Sequence, residues 1–460
     1  MSVRSRNVPY LYLAMLKIPV LAGFMLLSGM VMAQKVLTLP DCVKLATEQN
    51  LSLRQNAAGV ELSEKAANQS RLLLLPNLNA GTSYFWNFGY TVDPVTNLPL
   101  ANNFQANSYQ LTAGLNLFSG GNVSNTIQKS RVDMAVAAAN YKANIENVQF
   151  QVIAAYLAVM FAEEQLKVAD QKIATTEAQL SDTRKLVTAG ALPEGNLLAI
   201  EAQLAQDQLS RIQAANQVQQ TYLDLKLLIQ ADPQEDIKVQ FPDVSRFDMV
   251  RYAPVPSTQE VIDYAISHRA SIKVFDLQLQ SDEYARKIAG APAYPNLSVF
   301  GQLSTNYSSA SYPQFGIEAL PFNEQIDNNL SEVVGISLQI PLFNNGQVLM
   351  SRQNADLQII NTQLNREIAI NNLRKTVTQA VNDVIAARAS YDAAEKSFAA
   401  AKSAFEYAEK KFKAGTASAF EYTNALNAQS QAESFLVQAK YDLIFKTKII
   451  DYYLDKPIEF

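Results

Sequence analysis

One histidine (His268) and one cysteine (Cys42) in 460 residues limit the chemistry this chain can perform. A Ser–His–Asp triad, a His–Cys metal set, a Cys-x-x-Cys redox pair and a disulfide framework all need residues that are missing. His268 falls in Tyr264-Ala265-Ile266-Ser267-His268-Arg269, near the end of a predicted helix. An imidazole there caps the helix or faces solvent. Met134, Met160 and Met350 are scattered, so no methionine relay for copper is visible. Cys42 reads as a small buried apolar residue. The 38 basic and 43 acidic side chains leave no excess of positive charge for nucleic acid. The expectation is a protein that is no enzyme and carries no metal or cofactor.

Chemistry of another kind, recognition by long surfaces, is written in the elements that the sequence must form. Residues 1–33 read as a signal peptide. Arg4, Arg6 and Lys17 are basic, Ile18 to Met32 is apolar, and Val31-Met32-Ala33 offers a small-x-small cleavage site before Gln34. No later stretch has the run of about 18 apolar residues that a spanning helix requires. Any membrane-embedded part is therefore expected to be a β-barrel.

The chain also repeats itself. Leu117-Phe118-Ser119-Gly120-Gly121-Asn122-Val123 returns as Leu342-Phe343-Asn344-Asn345-Gly346-Gln347-Val348, and Ala189-Gly190 returns as Ala414-Gly415, at one shared offset. Two matched halves, 34–245 and 246–460, follow from this. The segment 231–256 joins them, broken by Pro233, Pro242, Pro254 and Pro256. Residues 122–189 and 347–414 hold no Gly or Pro and are rich in helix formers. As continuous helix each would run about 100 Å. Helices of that length are coiled coils or helical repeats, or the shaft of a fibrous rod.

Four segments, about 76–90, 105–118, 295–307 and 331–343, alternate with period two. Tyr84, Trp86, Phe88 and Tyr90 are aromatic at every second place and read as a girdle at a lipid interface. Tyr109, Leu111, Leu115 and Leu117 alternate with Ser108, Gln110, Thr112 and Asn116. Phe85 and Phe300 break the pattern. Small polar groups on one face and apolar bulk on the other suit a membrane barrel around a wet lumen, although a soluble sandwich also alternates. Four strands cannot close such a barrel, since about eight are needed. Three chains would supply twelve.

In this order and spacing, the duplicated junctions Leu117–Gly121 and Leu342–Gly346 carry a resemblance to the TolC-like outer membrane efflux proteins. The opening Leu37-Thr38-Leu39-Pro40-Asp41-Cys42-Val43 and the glycine tips add to it. The resemblance implies a mainly α fold with a transmembrane β-barrel. Trimers would form a 12-stranded barrel, four strands per chain, continuous with a long coiled-coil α-barrel in the periplasm. It implies an outer-membrane location and contact with outer-membrane lipid. It further implies a passive conduit working with a periplasmic adaptor (membrane fusion) protein and an inner-membrane RND or ABC transporter. An outlet for type I protein secretion, a pump-independent porin and a structural envelope protein are the alternatives.

The same resemblance assigns the site residues. Ala189, Gly190, Ala191 and Leu192, with Ala414, Gly415 and Thr416, would be tips that meet the adaptor. Two carboxylates that line the family's entrance fall on Glu421 and Asn424, neighbours on one helical face. Asn424 departs from the acidic pattern and leaves one charge per chain. The family's basic clamp falls on Ala417 and its aromatic partner on Phe412. The corresponding polar position in the first half is Asn196, with Glu194 nearby. A threefold ring of Glu421 would attract cations, and packing of Phe412, Phe420 and Tyr422 would have to hold the entrance closed.

Overall fold

A computed structural model describes residues 35–89, 91–92, 99–100, 103–241, 247–310 and 319–456. The signal segment 1–33, Tyr90 and Pro242 lie outside the described residues. The chain begins with β1 (Lys35–Leu37), α1 (Leu39–Gln49) and α2 (Leu51–Arg71). Thr38 and Asp41 form a capping box that starts α1, and the Asn50 side chain caps α2. The first hairpin is β2 (Asn77–Asn87) and β5 (Phe104–Ser119), with the short ladder β3 (Thr91–Val92) and β4 (Pro99–Leu100) between them. Then come α3 (Asn122–Thr188), α4 (Glu194–Ile229) and β6 (Ile237–Val239).

The second half runs α5 (Phe247–Tyr252), α6 (Thr258–His268), α7 (Ala270–Gly290), β7 (Asn296–Ser308), α8 (Phe322–Asn328), β8 (Ser331–Gln339), α9 (Gln347–Lys413) and α10 (Ala419–Tyr453). Helices α3 and α9 have 67 residues each, so the Gly- and Pro-free runs are single helices. Each starts at a left-handed glycine, Gly121 or Gly346. The residue before each is also left-handed, Gly120 in one junction and Asn345 in the other. Asn tolerates that conformation, but Gly120 also needs the space, since a Cβ there would lie 2.5 Å from the Ala291 carbonyl oxygen.

The largest core gathers where β1 pairs in parallel with β6. Leu37, Leu39, Cys42, Val152, Tyr156, Met160, Leu225 and Ile229 are buried there. Helix α3 contains a stretch apolar and long enough to cross a membrane. That stretch carries Val148, Val152, Ile153, Tyr156, Leu157, Val159 and Met160, the side chains this core consumes. The Tyr156 hydroxyl donates to the carbonyl of Gln240, and burial pushes its pKa up. A second core joins Val261 and Ala265 of α6 to Val377, Val381 and Val384 of α9 and Leu443 of α10.

The four long strands form one antiparallel sheet in the order β2-β5-β7-β8, leaving β2 and β8 with one unpaired edge each. Ser83 faces Ser108, Gln110 faces Ser304, and Ser298 faces both Asn116 and Ser337, so the polar side chains share one face. Leu111 faces Leu303 and Leu297 faces Leu338 on the other. Two strands are shorter than their patterns suggest. β8 stops at Gln339 because Pro341 follows and cannot donate to a ladder. β2 stops at Asn87, before the left-handed Gly89, and leaves Phe88 exposed.

The register sets an expectation for labelling. Cysteines at Ser83, Gln110, Ser298 or Gln339 should react with hydrophilic thiol reagents, and cysteines at Leu111 or Leu338 with lipid-soluble ones. The reverse pattern in intact outer membranes would mean that the sheet is inverted.

Candidate pore entrance at the helical tips

Both long helices end in the same device. The Gly190 amide donates to Val187 (2.9 Å) and that of Ala191 to Leu186 (2.9 Å). In the second tip Gly415 donates to Phe412 (3.0 Å) and Thr416 to Lys411 (2.9 Å). These are paired Schellman caps, and each needs the left-handed φ of its glycine, 72° and 73°. Ala189, Gly190, Ala191, Ala414, Gly415 and Thr416 are exposed, and Leu192 is half-buried. The exposed tips present mostly backbone and small side chains.

Beneath the tips lies a compact apolar core of Ile200, Phe405, Phe412, Ala417, Ala419, Tyr422 and Leu426. The Tyr422 ring packs on Phe412 and Phe405 at centroid distances of 5.3 and 5.4 Å. Its hydroxyl pKa is raised first by burial and then by the nearby charges of Glu409 and Asp182, so this core does not titrate near neutrality. Phe412 is 1% exposed and belongs to this core within one chain. Phe420, grouped with it in the sequence reading, is 74% exposed and does not join the packing. Ala417 is buried, so a long basic side chain there would have to leave the core or disrupt it.

Glu421 and Asn424 are both exposed on α10. Ser418 caps this helix by accepting from the Glu421 amide (3.2 Å). A carboxylate in the first turn also meets the positive end of the helix dipole. Lys411, in the last turn of α9, places its Nζ 3.8 Å from Glu421 Oε1. The ammonium also sits over the Tyr407 ring at 5.1 Å. Lys411 thus supplies Glu421 with a basic neighbour within one chain. Asn196 is half-buried on α4, and its backbone N–H donates to the Pro193 carbonyl (3.1 Å), while Glu194 is exposed.

A polar layer lies deeper between the helices. Asp207 is 1% exposed and accepts from Thr176 Oγ1 (2.7 Å) and Gln203 Nε2 (2.7 Å), with Lys172 Nζ at 2.9 Å. Gln203 and Asn427 exchange amide hydrogen bonds of 3.3 and 3.2 Å, tying α4 to α10. Their comparable positions after the two tip glycines were the signal available in the sequence. Among the described residues, no group of three or more His, Cys, Asp or Glu side chains could hold a metal. His268 stacks on Tyr264 at 4.1 Å in the last turn of α6.

Each half carries two long helices, and the four-stranded sheet has one polar and one apolar face. Comparison with known proteins places these elements in a family. The family model described as outer membrane efflux protein matches residues 42–230 and 261–445. Outer membrane efflux protein BepC of Brucella suis is 21% identical over 92% of this chain and 87% of its own length. Outer membrane protein TolC of Vibrio cholerae is 24% identical over 88% of each chain. Among solved structures, the transmembrane channel CusC superposes with a TM-score of 0.76 at 16% identity, covering 91% of this chain and 92% of its own. The outer membrane protein VceC of Vibrio cholerae gives 0.75 at 14% identity, covering 92% and 97%. With the fold and both halves matched, the chain belongs to the outer membrane efflux protein family, whose members are channels of the outer membrane that extend into the periplasm.

Proposed function

We propose that this channel is the outer-membrane outlet of a tripartite export system. It works as a homotrimer built from two repeats per chain, 34–245 and 246–460, and passes on solutes delivered by an inner-membrane RND or ABC transporter through a periplasmic adaptor. The observation that carries this is the open sheet. A four-stranded sheet with two bare edges, β2 and β8, cannot persist in lipid, where every backbone group must be paired. Three sheets joined edge to edge give twelve strands and no free edge. Exposed apolar stripes support the same assembly. Leu198, Leu209, Ile212, Leu223 and Leu227 stand out on α4, and Leu357, Ile360, Leu364 and Ile368 on α9. Neighbouring chains would cover them.

In this reading Ala189, Gly190, Ala191 and Leu192, with Ala414, Gly415 and Thr416, form the adaptor-docking tips. Small residues there let a partner helix approach closely. Glu421, with Asn424 and Asn196 beside it and Phe412 behind, marks the entrance. Light scattering of detergent-extracted protein should give the mass of three chains. A stable monomer with full β-content would sink the architecture.

A further inference from the structure

Strands β2, β5, β7 and β8, of 11, 16, 13 and 9 residues, contain one carboxylate, Glu332, and no Lys, Arg or His. Glu332 stands opposite Leu303 on the apolar, lipid-side face of the sheet. The other face therefore carries no charged side chain among the described strand residues. The whole sequence has 38 basic and 43 acidic residues, so this neutrality is local to the barrel wall. Hydroxyls and amides such as Ser108, Gln110, Ser298 and Gln302 cover it.

Phe85 and Val333 interrupt that polar face, and so does Phe300. It stands between two glycines, Gly114 on β5 and Gly335 on β8. A Cβ on Gly335 would come within 2.7 Å of the Phe300 Cζ, so the ring lies over bare backbone. An aromatic ring covering a cross-strand glycine stabilises the sheet at that point. The ring nonetheless stays 39% exposed, which leaves part of its surface open on the polar face of the sheet. Closure by three chains repeats the patch three times at one height.

We propose that the barrel is a charge-neutral outlet in which Phe300, seated over Gly335, contacts the apolar part of uncharged amphipathic organic solutes. The proposal rests on the reading of the chain as a conduit. An ion finds no counter-charge on the polar face of the described strands. A solute with a hydrophobic face and several hydroxyls finds both of its needs met, carbon against the ring and hydrogen bonds to Ser and Gln. This is the pairing of apolar surface with a few placed polar groups that small-molecule sites use.

Full-length trimers in planar bilayers, in about 0.15 M KCl so that charges beyond about 8 Å are screened, provide the test. p-Nitrophenyl glucoside, glucose and benzenesulfonate are each added on the extracellular side. The glycoside should interrupt the current, and glucose and the sulfonate should not. Phe300→Ser should shorten the interruptions about fivefold, the worth of one aromatic contact. Gly335→Ala should shorten them as well, because its methyl group displaces the ring while the barrel chemistry is kept. Interruptions unchanged in both variants, or equally strong with the sulfonate, would overturn the proposal. A trimer that carries no current at all would instead overturn the conduit reading, and this proposal with it.

Discussion

Replacing Glu421 with alanine should weaken the block of the channel by trivalent cations at least tenfold while leaving the trimer intact. In a threefold assembly Glu421 becomes three carboxylates around one axis, and a narrow aperture focuses their field. Two unit charges about 4 Å apart interact by about 1 kcal/mol even in bulk water. A trivalent ion among three carboxylates multiplies that contact. Tenfold corresponds to about 1.4 kcal/mol and is a modest demand. Lys411 opposes the effect, since its ammonium lies 3.8 Å from Glu421. Exposed ion pairs of this kind add little stability, so Lys411→Ala should keep the fold and strengthen both block and cation selectivity. Bilayer recordings with the blocker on the periplasmic side separate the cases. If block and selectivity survive Glu421→Ala, Glu421 is an ordinary solvated helix residue.

The second large effect concerns what holds the tips. Phe412→Ala should cost about 3–5 kcal/mol of local stability, the usual range for deleting a buried aromatic side chain. Phe420→Ala should cost no more than about 0.5 kcal/mol, because its ring faces outward. Hydrogen exchange of the amides near 405–426, followed in the intact trimer, reads both. Phe412→Ala should speed exchange there and raise the mean conductance, whereas Phe420→Ala should leave exchange unchanged. Equal effects would mean that the aromatic packing is rearranged in the trimer and that the core of a single chain does not govern the tip.

Several elements were legible because they rest on local rules. Period-two alternation marks a strand whose faces meet different media. It placed the polar residues Ser83, Gln110 and Ser298 on one face from the sequence alone. Runs without Gly or Pro could only be long helices, and Gly190 and Gly415 could only end them, since left-handed backbone is costly for other residues. The breaks in pattern were legible too, although their meaning was not. Phe300 looked like an exception until β7 was set between β5 and β8, where Gly114 and Gly335 flank the ring.

What the sequence by itself determined was the long helices, the four long strands, their duplication and the two-faced sheet, because periodicity and glycine placement act within a few residues; the short pair β1 and β6 and the helices α5 and α8 carry no such signal. The tertiary structure decided which neighbours meet. An extra residue at Leu117 shifts the register, so that Phe118 stands opposite Leu297. Phe412 turns inward and Phe420 outward, and Lys411 of α9 reaches Glu421 of α10. Gln203 finds Asn427 on a helix from the other half of the chain. The physical reason is the same in each case. Apolar and polar residues are spread around all sides of helices this long, so periodicity does not select a contact face, and only the packing of α3, α4, α9 and α10 against one another does.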